Sequence, residues 1–127
     1  MKINFDKEAN VIILYAEIKG GDKTLTPKMA LDTGATYVMI PWEIAEALGL
    51  QPELSKEKTE MITASGVEKV PIVTIEMMNV AGKEAANIKA IVHDLPPKSY
   101  VDGLLGLSFL RNFDMRISFR EGHLELM

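Results

Sequence analysis

Four consecutive residues, Asp32, Thr33, Gly34 and Ala35, have the types and spacing best suited to chemistry in this chain. Asp32 has two carboxylate oxygens that can hold and polarise a water molecule, and Thr33 has a hydroxyl that can bond the backbone or a partner. Gly34 permits a tight turn or the close approach of another backbone, and the small Ala35 leaves that approach open. A carboxylate among apolar residues costs free energy unless it is paired or protonated. The position of Asp32 among apolar residues therefore suggests that it takes part in a chemical reaction.

An ordinary turn is the alternative interpretation of these residues, because Asp-Thr-Gly is common in turns between strands. The flanking sequence favours chemistry instead. Ala30-Leu31 precedes Asp32, the apolar run from Tyr37 to Ile40 follows it, and a second apolar segment, Leu104-Leu105-Gly106, stands near the C-terminus.

With both segments in this order, the chain resembles the retropepsin-like aspartic proteases over nearly its whole length. In that family the Asp-Thr-Gly turn follows a strand of a small β-barrel, and an apolar segment ending in glycine passes beside it. The resemblance implies an all-β fold: one domain over residues 1–127, forming a small closed retropepsin-like barrel with one or two short helices, and a C2 homodimer. Retroviral members continue after this glycine with Arg-Asn or Arg-Asp. Here Leu107 and Ser108 follow, which is closer to cellular and bacterial members.

The number of carboxylates argues for a dimer. Peptide hydrolysis of this type needs two carboxylates, one acting as base and one as acid, and the chain has a single Asp-Thr-Gly. Asp102 is a possible partner within the chain, but it lacks the Thr-Gly frame and is better interpreted as a turn residue. We therefore expect each subunit to supply one Asp32 at a two-fold axis. The resemblance implies that Thr33 bonds across the dimer and that Gly34 keeps the two loops close.

The predicted function is that of an aspartic endopeptidase in which water between the two Asp32 carboxylates attacks a peptide bond, without metal or cofactor. The alternative is a non-catalytic retropepsin-like domain that binds a peptide or protein, or that serves dimerisation. The intact motif from Asp32 to Ala35 favours the enzyme.

A predicted hairpin supplies the candidate substrate-binding flap. Its strands run from Thr59 to Thr63 and from Val67 to Val70, and its tip consists of the small residues Ala64, Ser65 and Gly66. Small residues allow a flap to lay its backbone against an extended peptide. A plain surface hairpin is the alternative. Together with Ala35, the tip is the predicted substrate-binding set, and three methionines are candidates for an adaptable apolar cleft: Met39, Met61 and Met77.

Alternating and β-branched residues predict most of the remaining chain as strands. The predicted strands are Val11–Ile18, Thr24–Leu31, Pro71–Met78, Ala86–His93, Met115–Phe119 and His123–Met127. Short helices are predicted from Trp42 to Gly49 and from Ser108 to Asn112, with Ser108 as the N-cap. The C-terminal strands pair between subunits in retroviral members, and pairing within one chain is equally open here.

Composition excludes several other classes of function. The 127 residues are 47% hydrophobic with a net charge of −4 and scattered Lys and Arg, which suits one globular domain and gives no footprint for nucleic acid. No stretch approaches the roughly 20 apolar residues of a membrane span, and there is no cysteine, so we expect a soluble, cytoplasmic protein. The two histidines lack metal-ligand spacing. Neither Ser65 nor Ser108 stands in a Gly-x-Ser-x-Gly elbow.

Overall fold

The computed structural model describes residues 2–127, which form twelve β-strands, two short α-helices and one 3₁₀-helix. The helices are α1 (Trp42–Ala47), the 3₁₀-helix (Pro52–Leu54) and α2 (Leu107–Leu110). The strands are β1 (Lys2–Asn4), β2 (Ile13–Tyr15), β3 (Glu17–Gly20), β4 (Lys23–Leu25), β5 (Lys28–Leu31), β6 (Val38–Ile40), β7 (Lys58–Thr63), β8 (Gly66–Val80), β9 (Lys83–Val92), β10 (Gly103–Leu105), β11 (Met115–Ser118) and β12 (His123–Leu126). The predicted all-β class with short helices is confirmed.

Nine strands form one large sheet that curls into a half-barrel. Its order is β2-β5-β10-β6-β9-β8-β3-β4, and β7 pairs with the first part of β8. The pairs β5–β10 and β6–β9 are parallel, whereas the others are antiparallel. Because β10 lies between β5 and β6, it holds together the two strands that flank the Asp32 turn.

The predicted strand boundaries fail where a strand changes its neighbour. The segment from Val11 to Ile18 divides at the buried Ala16, because β2 pairs with β5 whereas β3 pairs with β8 and β4. Pro27, predicted at an edge or bulge, separates β4 from β5 and accepts a hydrogen bond from the Ala16 N–H at 3.2 Å. Conversely, the two segments predicted on either side of Pro71 are one strand, β8. Proline has no N–H to donate, and Pro71 lies where the partner of β8 changes from β7 to β9.

The remaining strands form a separate antiparallel sheet in the order β1-β12-β11. Strand β12 pairs with β1 on one side and with β11 on the other, so that Leu124 lies opposite both Ile3 and Ile117. The sequence left open whether the terminal strands pair within the chain, and in the structure they do. Strand β1 was not predicted.

One continuous apolar core joins both sheets and both α-helices. It includes Ala45 of α1, Ile75 of β8, Phe109 of α2 and Leu124 of β12, all with 0% exposed surface. Phe109 also packs against Phe113 at a ring-centroid distance of 5.1 Å. This packing gives the Asp32 turn a rigid base.

Gly103 provides a test of how tightly β10 is held between its neighbours. A Cβ at this position would overlap the backbone oxygen of Met39 in β6, and a backbone atom inside a sheet cannot move aside cheaply. We expect Gly103→Ala to lower the free energy of unfolding by about 3 kcal/mol, measured by urea denaturation.

Gly49→Ala is the control for the loss of a glycine. Gly49 has a φ of +72° with no atom near its virtual Cβ, so its replacement should cost about 1 kcal/mol through backbone strain alone. Equal losses in the two variants would show that β10 has room to move.

Candidate active site

Asp32 directly follows β5, and its own loop orients its carboxylate. The Asp32 N–H donates to the Leu105 carbonyl at 3.1 Å, and the Ala35 N–H donates to the Asp32 carbonyl at 3.2 Å. Asp32 Oδ1 accepts a hydrogen bond from the Gly34 N–H at 2.9 Å. The side chain is half-buried, and within residues 2–127 its Oδ2 has no hydrogen-bond partner. One carboxylate oxygen is therefore held while the other is free for water or for a second acid.

Gly34 is favoured by its close approach to the Asp32 side chain and does not have an unusual φ angle. A Cβ on Gly34 would lie 3.2 Å from Asp32 Oδ1, which is tighter than ordinary van der Waals contact. Gly34 and Thr33 are both exposed, and the Thr33 hydroxyl makes no hydrogen bond in the described part of the chain. Thr33 therefore presents an unused hydroxyl, and both residues leave open space beside Asp32.

The structure brings Leu104, Leu105 and Gly106 against the Asp32 turn. Leu105 lies opposite Leu31 in the parallel β5–β10 pair. A Cβ on Gly106 would overlap the carbonyl oxygens of Ala35 and Tyr37, so only glycine fits there. The next residue completes the contact, because the Leu107 N–H donates to the Ala35 carbonyl at 2.8 Å. The beginning of α2 thus supports the loop from below.

Ser108 is not the N-cap that the sequence predicted. Helix α2 begins at Leu107 with Gly106 as its N-cap, so Ser108 already lies in the first turn. Its hydroxyl accepts a hydrogen bond from the Val38 N–H at 2.8 Å and donates to the Lys89 carbonyl at 2.7 Å. It therefore ties α2 to β6 and β9, immediately after the Asp32 loop. Sequence reasoning missed this role, and its only signal was a serine in place of the residue typical of retroviral members.

The β7–β8 hairpin ends in the predicted tip of small residues. Ala64, Ser65 and Gly66 are all exposed, and Gly66 has a φ of +120°. The Thr63 hydroxyl organises the turn by donating to the Gly66 carbonyl at 3.1 Å and accepting from the Ser65 N–H at 3.3 Å. No hydrogen bond of the described residues joins this tip to the Asp32 loop. The structure therefore brings the Asp32 turn against the Leu104-Leu105-Gly106 segment, but it does not join the hairpin tip to either of them.

The base of the hairpin does lie near the loop and encloses a cavity of about 250 Å³ with it. Met39 and Met61, two of the three methionines considered for a cleft, line this cavity, whereas Met77 lies opposite Lys19 and Ala86 and does not. The complete lining is Ala35, Thr36, Tyr37, Met39, Thr59, Glu60, Met61, Ile91 and Leu104. Such a mostly apolar wall beside a carboxylate suits the side chain of a peptide bound next to Asp32.

Asp102 has a structural task at the opposite end of β5. Its Oδ2 accepts a hydrogen bond from the Lys28 N–H at 2.9 Å, and its own N–H donates to the Lys28 carbonyl at 2.7 Å. Lys28 and Asp32 are four residues apart along an extended chain, a separation of about 13 Å. Asp102 therefore fixes the register of β5 with β10 and does not face Asp32.

Metal-ligating side chains do not cluster in the part of the chain that the structure describes. Residues 2–127 contain no group of three or more His, Asp or Glu side chains arranged around a common point. Nor does any helix there have the length and apolar character needed to cross a bilayer.

Comparison with known proteins places this geometry in a family. A family model described as "gag-polyprotein putative aspartyl protease" matches residues 18–112, a range that includes both the Asp32 turn and the Leu104-Leu105-Gly106 segment. The chain belongs to this family. Its structure is similar to the crystal structure of a retropepsin-like aspartic protease from Rickettsia conorii, with a TM-score of 0.74 and 27% sequence identity over 99% of this chain and 88% of that one. A search of curated proteins found no significant match. The retropepsin-like assignment made from the sequence is thus confirmed.

Ser108→Ala tests whether the hydroxyl supports this family's central loop. The substitution leaves the Val38 N–H and the Lys89 carbonyl without their partner, so we expect a loss of about 2 kcal/mol in the free energy of unfolding. Thermal or urea denaturation measures it.

The matched control is Ser99→Ala. Ser99 is exposed and its side chain makes no hydrogen bond in the described chain, so stability should be unchanged. A Ser108 variant as stable as this control would mean that water replaces the hydroxyl.

Proposed function

We propose that this member of the family is an aspartic endopeptidase that acts as a homodimer, with one Asp32 from each subunit. The observation that carries the proposal is the state of the Asp32 carboxylate, whose Oδ1 is held by Gly34 while its Oδ2 is unbonded within residues 2–127. The first oxygen orders the turn, whereas the second has no structural task in the described chain. Membership in an aspartyl protease family supports the same conclusion.

In the proposed mechanism a water molecule lies between the two Asp32 carboxyl groups. The ionised carboxylate takes a proton from this water, and the resulting hydroxide attacks the carbonyl carbon of the scissile peptide bond. The protonated carboxyl gives its proton to the carbonyl oxygen, forming a tetrahedral diol. When the diol collapses, the carbon–nitrogen bond breaks, the amine leaves with the proton from the carboxyl that acted as base, and a diol hydroxyl returns its proton to the other carboxylate, which restores the starting state. No covalent enzyme intermediate forms.

A second copy of the chain is the source of the second acid. Asp102 is occupied by Lys28 at the far end of β5, and Thr33 and Gly34 leave an open surface beside Asp32. A two-fold axis through this surface brings identical groups face to face. The unbonded Thr33 hydroxyl is then available to bond the loop of the partner subunit.

The substrate in this proposal is an extended peptide that lies between the Asp32 loop and the β7–β8 hairpin. The cavity beside Ala35 and Met61 accepts an apolar side chain next to the cleaved bond. The small residues Ala64, Ser65 and Gly66 leave the hairpin backbone free to bond the peptide. We also propose a cytoplasmic location, since the sequence gives no sign of an oxidising compartment.

Asp32→Asn tests the chemistry directly. Cleavage of a diverse peptide library should fall by at least about 10³-fold, because the variant lacks both acid and base. The native chain should show a bell-shaped pH profile, since one carboxyl must be protonated and the other ionised.

Asp102→Asn is the matched control for loss of one negative charge. It should cleave the same peptides, because the amide oxygen of asparagine can still accept the Lys28 N–H that holds the register of β5, and residue 102 does not contact Asp32. If the native chain and both variants are equally inert at every pH, the non-catalytic binding or dimerisation domain becomes the better interpretation.

Subunit mixing tests the requirement for two Asp32 side chains. An excess of folded Asp32→Asn chain should suppress the activity of the native chain progressively towards zero, because mixed dimers contain only one acid. Asp102→Asn chain added in the same excess should not suppress it. Undiminished activity in the presence of excess Asp32→Asn chain would contradict a shared site.

A further inference from the structure

The β7–β8 hairpin turns two different faces to its surroundings. Directly opposed residues of an antiparallel pair lie on the same face of a sheet, and successive residues along a strand alternate between the faces. One face carries Thr59 opposite Val70, where Thr59 lines the cavity beside the Asp32 loop and Val70 is 4% exposed. The other face carries Ile62 opposite Val67, which are 85% and 63% exposed. The face of Thr59 and Val70 is therefore the cleft face of the hairpin.

An acid, Glu68, lies on this cleft face. It is directly opposite Met61, which lines the same cavity, and it comes two residues before the buried Val70. The Cβ atoms of directly opposed residues are about 5 Å apart. Glu68 is not part of the cavity lining itself. The register therefore puts Glu68 at the rim of the cavity, beyond the apolar wall to which Met61 belongs.

The negative charge of Glu68 is not neutralised by its own chain. Its side chain is exposed and has no hydrogen bond or ion pair in the part of the chain that the structure describes. The adjacent Lys69 lies on the opposite face, directly across from Glu60. Glu60 also borders the cavity, but alternation along β7 turns its side chain to the face of Lys69. Because none of the residues that line the cavity is basic, the rim keeps an unpaired negative charge.

We propose that Glu68 selects substrates that carry a lysine or arginine side chain near the cleaved bond. The inference rests on the proposed function, because a peptide held between the Asp32 loop and the hairpin is what brings a side chain to this rim. Lysine and arginine combine an apolar stem with a charged end. The stem packs against Met61 and the other apolar residues of the cavity, while the charged end pairs with the Glu68 carboxylate. A purely apolar side chain fills the same cavity but leaves this carboxylate unpaired.

A peptide series tests this preference for a basic side chain. The series starts from the library peptide that the native chain cleaves or binds best, and each position near the scissile bond is replaced in turn by lysine and by norleucine, an uncharged residue of similar length. At one position the native chain should cleave the lysine peptide with a kcat/KM about fivefold higher, as expected of an ion pair at a solvent-exposed rim. High salt should reduce this ratio, because exposed charges are screened.

Charge variants assign the preference to Glu68. Glu68→Gln should abolish the difference between the lysine and norleucine peptides, and Glu68→Lys should reverse it in favour of a peptide with glutamate at the same position. Glu121→Gln is the matched control, because Glu121 is exposed in the turn between β11 and β12 and its side chain makes no bond in the described chain. This control should keep the native preference. A preference that survives in Glu68→Gln but is lost in Glu60→Gln would overturn the assignment.

Binding measurements separate this inference from the proposed function. Fluorescence anisotropy gives the affinity of the same labelled peptides for the Asp32→Asn chain, which leaves them uncleaved. If cleavage depends on Asp32 but lysine and norleucine peptides are cleaved alike at every position, the role of Glu68 is wrong and the protease stands. If the native chain cleaves no peptide but binds a lysine peptide more tightly in a manner that requires Glu68, the role of Glu68 stands and the protease is wrong. A chain that neither cleaves nor binds these peptides overturns both.

Discussion

The parallel pairing of β5 with β10 is the constraint on which the rest of the site depends. It sets the Leu105 carbonyl opposite the Asp32 N–H, and so decides where the chain leaves the strand and how the carboxylate is presented. On its other side, β10 and the residue after it pack closely against β6 and the loop that follows Asp32, because Gly103 and Gly106 lack side chains where the backbone oxygens of Met39, Ala35 and Tyr37 approach. Ser108 then fastens the far side of the loop to β6 and β9. Gly103, Gly106 and the Ser108 hydroxyl thus hold the Asp32 loop against the neighbouring strands.

The polar groups around Asp32 show which contacts the single chain completes and which it does not. Buried side-chain nitrogen and oxygen atoms in residues 2–127 all have partners, as expected of a well-ordered interior. The half-buried Asp32 has one carboxylate oxygen, Oδ2, without a partner in the described chain, and the exposed Thr33 hydroxyl beside it has none either. No hydrogen bond of the described residues reaches these two groups, although Asp32 Oδ1 and the N–H groups of Ala35 and Leu107 each have a partner. These unpaired groups are the ones that the proposed function assigns to a partner subunit and to water.

The sequence predicted the features that depend on neighbouring residues along the chain. The turn after Leu31, the hairpin with the tip at Ala64 and Ser65, and the helix that begins after Pro41 all follow from local patterns and were found. What it missed depends on contacts between distant residues. Alternation cannot tell that the chain changes partners at Ala16, because the pattern of exposed and buried side chains continues across the break. Likewise, the hydrogen bond from the Val38 N–H to the Ser108 hydroxyl joins residues 70 positions apart, and the residues next to Ser108 in the sequence do not predict it.

The pairing of β12 on both sides within one chain bears on folding and assembly. Because β12 finds both neighbours in its own chain, the pairing of this strand needs no partner chain, in contrast to obligate dimers in which the monomer has no stable fold. Under the proposed function, a dilute chain keeps this pairing yet holds only one of the two Asp32 carboxylates. Mass action then switches the protein between an inactive single chain and an active pair without exchange of this strand.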